Sequence, residues 1–178
     1  MAALPWFVSM CLSIKTTTTS DCAYKDLSQA PNDLSKFIVH LNIRSLRYKI
    51  EELETLMTTM NFPKIILISE TWLHPDTYVV DIPNYTLISS PRVDRHAGGV
   101  GIYVADSCKY NIKAMSSHHK FMKTNIDYIL LELPEYNVAI SCMYCPPKLK
   151  LNDIIAVLDY QKSITKMHFI AAGDFNID

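Results

Sequence analysis

Glycine is scarce in this chain, four in 178 residues, and three of the four fall together at Gly98, Gly99 and Gly101. That clustering marks a bend or a close approach of backbones where a strand begins. Neither charge is in surplus. Lys and Arg total 17 against 18 Asp and Glu, a formal charge of -1, which excludes a generally basic coat for nucleic acid and confines any such contact to a local patch. A membrane-spanning run is also missing. The apolar stretch at residues 1–14 falls short of the roughly 20 residues a bilayer requires. Pro5 interrupts it and no basic residue precedes it, so a secretory signal is disfavoured as well. The five cysteines (Cys11, Cys22, Cys108, Cys142 and Cys145) are odd in number and lack paired metal spacing. Cys142 and Cys145 form a C-x-x-C with no second Cys or His pair to close a zinc site. A reduced, intracellular protein is the reading that follows. No internal repeat occurs.

What is present suits one globular domain. Hydrophobic residues make up 49%, enough for a buried core without disulfides, and the length favours a single unit. The polar low-complexity stretch around residues 16–21 and the turn signal at residues 31–33 set off residues 1–35 as a leader outside a domain spanning residues 36–178. From there the pattern alternates. Residues 37–43 (FIVHLNI) and 64–69 (KIILIS) are β-branched, continuously apolar runs, as expected of strands covered on both faces. Between them Leu46, Ile50, Leu53, Leu56, Met57 and Met60 recur in steps of three and four, predicting an amphipathic helix with Ser45 as its cap. Four runs of β-formers follow, at residues 85–89, 100–104, 128–133 and 138–143. A second helix is predicted from about residue 152, then a last apolar strand over residues 167–172. Strand–helix–strand, a run of strands, then helix–strand predicts a layered α/β domain.

Polar residues fall where these strands should end: Asn42, Glu70, Tyr144, and the pair Asp174 and Asn176. Strand ends beside loops are where such domains build sites. Singly each has a bland reading: a carboxylate after a strand is mostly a solvated loop residue, an Asn a turn former, a Tyr before Pro-Pro a packing residue. Together they make a carboxylate-and-amide set suited to a hard cation such as Mg²⁺, which takes oxygen ligands and keeps several waters. Without a Cys/His cluster, zinc is disfavoured.

Five ordered motifs add to this. Residues 42–45 (NIRS), 68–73 (ISETWL), 92–104 (RVDRHAGGVGIYV), 144–147 (YCPP) and 173–176 (GDFN) resemble the apurinic/apyrimidinic-type endonuclease domain of non-LTR retrotransposons, within the endonuclease/exonuclease/phosphatase superfamily. The resemblance covers about residues 36–178. It implies a four-layer α/β/β/α sandwich of two mixed sheets, and hydrolysis of DNA phosphodiester bonds dependent on Mg²⁺, with Mn²⁺ as a substitute. It assigns Glu70 as main metal ligand with Asn42 beside the metal, Tyr144 to the scissile phosphate, Asp174 to the attacking water and Asn176 to its orientation. Arg44, Arg92 and Arg95 are the candidates for DNA contact. Arg92, Arg95, Lys109, Lys113, Lys120 and Lys123 face only Asp94 and Asp106 across residues 92–123, so a basic patch and a solvated rim are equally open readings there. DNA is the implied partner, with a reverse transcriptase in a full-length element, and a DNA substrate points to the nucleus.

The chain also departs from the family. The pattern's later Asp and its Ser-Asp-His element are not reached by Asp178, which predicts a truncated, weak or inactive copy. Of His40, His74, His118, His119 and His168, none replaces the missing one. His168 starts the strand that ends at Asp174, roughly 20 Å away at about 3.3 Å per residue. His40 reads as a core histidine, His74 as a loop residue, and His118 and His119 lie in the least patterned stretch. Cys145 stands where the branch usually has Arg, removing one phosphate contact. Two further readings remain open: a non-catalytic DNA-binding remnant, and a phosphatase of the same superfamily acting on a small phosphoester.

Overall fold

The computed structural model describes residues 9–13, 38–77, 81–92, 97–117 and 124–177. Among the described residues nine strands form two sheets. The first holds β1 (Ser9–Ser13), β2 (Ile38–Asn42), β3 (Ile65–Ser69), β4 (Tyr85–Ser90) and β5 (Val100–Ala105), in the order β1-β2-β3-β5-β4. The second holds β6 (Asn111–Met115), β7 (Asp127–Leu133), β8 (Val138–Tyr144) and β9 (His168–Asp174), in that order. Both are mixed: β1, β2 and β3 run parallel while β5 is antiparallel to β3 and β4, and β9 runs parallel to β8 within an otherwise antiparallel sheet.

Alternation along each strand decides the layering. Ile38, Ile65, Leu67, Ile102 and Val104 point from the first sheet into a core shared with Ile129, Leu131, Ile140, Cys142 and Tyr144 of the second. The opposite face of the first sheet (Val39, Leu41, Ile66, Ile68, Tyr103) is covered by Leu46, Ile50, Leu53, Met57 and Met60 of the helical segment that includes α1 (Ile50–Thr59). The outer face of the second sheet, through Tyr128, Met143 and Cys145, is covered by Ile154 and Val157 of α2 (Leu151–Ser163). The result is the α/β/β/α sandwich that the resemblance implied.

Two local features differ from the sequence reading, and a short strand lies ahead of residue 36. Ser45 does not cap α1: it has a φ of 82° and makes no side-chain cap bond, and a 3-10 turn at Leu46–Tyr48 precedes the helix. The backbone N–H groups of Ser45 and Leu46 instead donate to Glu70 O and Thr71 O at 2.9 Å, tying the loop after β2 to the loop after β3. The strand β6 was not foreseen, because its exposed edge sequence NIKAM carries little apolar signal. Within the segment read as a leader, Ser9–Ser13 lie along β2 in parallel register; the rest of residues 1–35 is outside the described residues. Among the described residues no helix is long and apolar enough to cross a membrane.

Candidate active site

Strand direction gathers the site at one end of the sandwich. The carboxyl ends of β2, β3, β8 and β9 and the amino ends of β5 and β7 all face it, bringing Asn42, Glu70, Tyr144, Asp174, Gly99 and Asp127 into one region. Asn42 is its hinge. Its Nδ2 donates to Glu70 Oε1 at 2.9 Å and to Asp174 Oδ2 at 2.7 Å, so one amide joins carboxylates carried by different sheets. Its Oδ1 is buried with no hydrogen-bond partner, an arrangement that leaves a desolvated acceptor beside two anions.

Glu70 is pinned by its surroundings. It has a φ of 55°, and its side chain is 14% exposed with Arg44 Nε 4.0 Å from Oε2. Arg44, Ser45, Trp72 and Asn176 share the left-handed region with it. Such concentration of uncommon backbone in the loops around one carboxylate is typical of functional sites. The bonds from Thr71 N to Gly99 O (3.2 Å) and Trp72 N to Gly98 O (2.9 Å) hold this loop against the glycine segment. Gly99 has to be glycine: at φ 79°, a Cβ there would stand 2.7 Å from Thr71 Oγ1.

Tyr144 is the register partner of Asp174 on one side and of Asp127 on the other. Burial raises the pKa of its phenol, Glu70 raises it further, and Arg92 opposes both. The hydroxyl is therefore protonated at neutral pH and able to donate a hydrogen bond. Asn176 Nδ2 donates to Cys145 O at 2.8 Å and its backbone N–H to Asp174 Oδ1 at 3.2 Å, so Asn176 braces the loops that carry Tyr144 and Asp174.

The basic residues are placed differently from a free rim. Arg92 is buried: its Nε lies 3.1 and 2.9 Å from the two oxygens of Asp127, and its Nη2 donates to Asn125 O. Lys109 and Lys113 face Glu135 and Glu132 at 3.8 and 3.6 Å. Arg95, Lys120 and Lys123, with His118 and His119, are outside the described residues. Asp127 is the residue that sequence reasoning passed over. Its one signal was an acidic residue at the head of the apolar run YILLEL.

Among the described residues the histidines keep away from Glu70 and Asp174. His40 is 2% exposed, its Nε2 is 3.0 Å from Ser69 Oγ, and burial lowers its pKa to about 4. His74 faces Asp76 in an exposed loop, and His168 begins β9 at the far end of the strand.

Among the described residues no three His, Cys, Asp or Glu side chains converge on one point. The centre is two carboxylates and one amide, and the partnerless Oδ1 of that amide fits a hard cation that keeps much of its water.

No protein-family profile and no curated protein matches the sequence. Solved structures do match. An AP endonuclease from Archaeoglobus fulgidus superposes with a TM-score of 0.57 at 16% identity, over 79% of this chain and 57% of that one. A 3' phosphatase (NExo) from Neisseria bound to a product DNA hairpin gives 0.56 at 18%, over 79% and 57%. The endonuclease domain of TRAS1, a telomere-specific non-LTR retrotransposon, gives 0.56 at 16%, over 79% and 60%. These proteins share the endonuclease/exonuclease/phosphatase fold, and the chain has that fold. The chain spans less than two thirds of the length of the structures it matches.

Proposed function

We propose that the chain is a retrotransposon-derived endonuclease domain that hydrolyses DNA phosphodiester bonds with a divalent cation, Mg²⁺ first. The observation that carries this is the double hydrogen bond of Asn42 to Glu70 and Asp174, with Tyr144 beside Asp174. Glu70 and Asn42 would hold the cation, which supplies neutralisation of charge on the phosphate oxygens. Asp174, oriented by Asn42, accepts a proton from the attacking water, and Tyr144 donates to a phosphate oxygen. Arg44, 38% exposed beside Glu70, would meet the backbone of a bound strand. The motifs at residues 68–73 and 92–104 support the retrotransposon branch over a repair enzyme.

Among the described residues, His40 is neutral in the core, His74 lies in an exposed loop and His168 is at the far end of β9, so none of these three serves Asp174 as a proton carrier. The test is nicking of supercoiled plasmid with and without Mg²⁺, in the unaltered chain and in Glu70→Gln, with metal binding followed separately by calorimetry. Slow, Mg²⁺-dependent nicking abolished by Glu70→Gln supports the reading. DNA binding with no nicking at any metal concentration favours the non-catalytic remnant, and turnover confined to small phosphoesters favours the phosphatase.

A further inference from the structure

Arg92 has a place in the molecule that DNA contact does not explain. It follows β4 in the first sheet, while Asp127 opens β7 in the second, so their pairing joins the two sheets at the site end. Both are almost wholly buried, at 9% and 5% exposure. Asp127 is fully employed: its oxygens lie 3.1 and 2.9 Å from Arg92 Nε, and Oδ2 accepts from Gly99 N at 2.8 Å. The glycine segment is moulded to the pair, because a Cβ at Gly98 would stand 2.9 Å from Asp127 Oδ2 and 3.1 Å from Arg92 Cζ. A buried ion pair carries a desolvation penalty that an apolar pair of similar size would avoid. What this one adds is a fixed guanidinium 5.6 Å from the centre of the Tyr144 ring, within range of a cation–π contact.

We infer that Arg92, anchored by Asp127, is a positioning residue for Tyr144: its guanidinium packs on the phenol ring and fixes where the hydroxyl points at the site. Asp127 and Tyr144 are register partners, so Asp127 sets the guanidinium at the height of the ring. Asn125 O takes a second hydrogen bond and restricts rotation. The charged groups acting on Tyr144 are Glu70, Arg92, Asp174 and Asp127. Among the described residues Arg92 is the cation of this set, and it opposes the three carboxylates around the ring. The inference rests on the reading of Tyr144 as a phosphate-facing donor, and its test does not depend on cutting.

The test is ¹⁹F NMR of the full chain carrying 3-fluorotyrosine, with the Tyr144 resonance assigned by its disappearance in Tyr144→Phe. In Arg92→Met the Tyr144 resonance should shift and broaden while the Tyr85 and Tyr110 resonances stay in place. Arg92→Lys should recover part of the change, and Asp127→Asn should reproduce part of it. Salt dependence of oligonucleotide binding in EDTA gives the second arm: with Arg92 buried, Arg92→Met should leave the slope unchanged. An unmoved Tyr144 resonance, or one that moves only together with the distant tyrosines, overturns the inference. So does a slope reduced by about one, which would make Arg92 a phosphate contact. Should Arg92→Met not fold, Arg92→Lys decides by itself: a Tyr144 resonance identical to that of the unaltered chain overturns the inference.

Discussion

Asn42 and Asp174 are 132 residues apart in the chain, and their Nδ2 and Oδ2 atoms are 2.7 Å apart. Asn42 closes the parallel run of β2 and Asp174 that of β9, so the bond spans the gap between the two sheets. The same nitrogen reaches Glu70 at 2.9 Å. Without this donor the two carboxylates lose the group that holds them in one arrangement. Asn42→Ala should therefore weaken divalent-cation affinity and plasmid nicking by about 10- to 100-fold, the usual cost of losing a group that orients metal ligands. Calorimetric titration with Mn²⁺ against the unaltered chain measures it, and equal affinities would remove Asn42 from the site.

Gly173 lies hard against the backbone of the neighbouring strand of the second sheet. A Cβ there would lie 1.9 Å from Met143 O and under 3 Å from Met143 C and N, all backbone of the neighbouring strand. No rotamer change relieves that contact, so β8 and β9 would have to separate where Tyr144 and Asp174 follow. Gly173→Ala should lower stability by about 3 kcal/mol or more, at the upper end for single substitutions. Urea unfolding checks it; a loss under about 1 kcal/mol would mean that β9 moves aside freely.

The Cys142–Cys145 pair should be chemically silent. Both thiols are fully buried, and burial pushes each up to about 12. Little thiolate exists near neutral pH, and thiolate is the reactive form. Site-resolved mass spectrometry after iodoacetamide at pH 8 should find both unmodified in the folded chain and both alkylated in denaturant. Rapid native labelling of Cys145 would contradict its enclosure under α2.

Much of the scaffold is legible in local pattern. Steps of three and four mark the face that Leu46, Ile50, Leu53, Met57 and Met60 bury, and continuous apolar runs mark β2 and β3 as covered on both faces. Asn42, Glu70, Tyr144 and Asp174 stand out as polar ends of such runs. What local pattern lacks is partnership. Ser9–Ser13 carries little strand signal of its own, and parallel pairing with β2 is what makes it a strand. Ser45 reads as a helix cap because Ser caps helices, but its loop is bound to the loop after β3 instead. Arg92 counts as a surface charge until Asp127, 35 residues on, supplies the carboxylate that lets it be buried.

His40 offers a clean pH signature. Its ring is 2% exposed beside Ser69, and burial lowers its pKa from 6.5 to about 4. Between those values the unfolded chain takes up a proton that the folded chain refuses. The unfolded state then binds more protons, so stability falls as pH falls through this window. The difference of 2.5 units corresponds to about 3 kcal/mol, complete near pH 4 and absent above about pH 7. Glutamine can place an amide nitrogen where Nε2 meets Ser69 and does not titrate. In urea unfolding between pH 7.5 and 4, with EDTA present, the stability of the unaltered chain should therefore fall by about 3 kcal/mol more than that of His40→Gln. Parallel curves for the two chains would mean that His40 accepts its proton in the folded state. That would return it to consideration as a proton carrier two residues from Asn42.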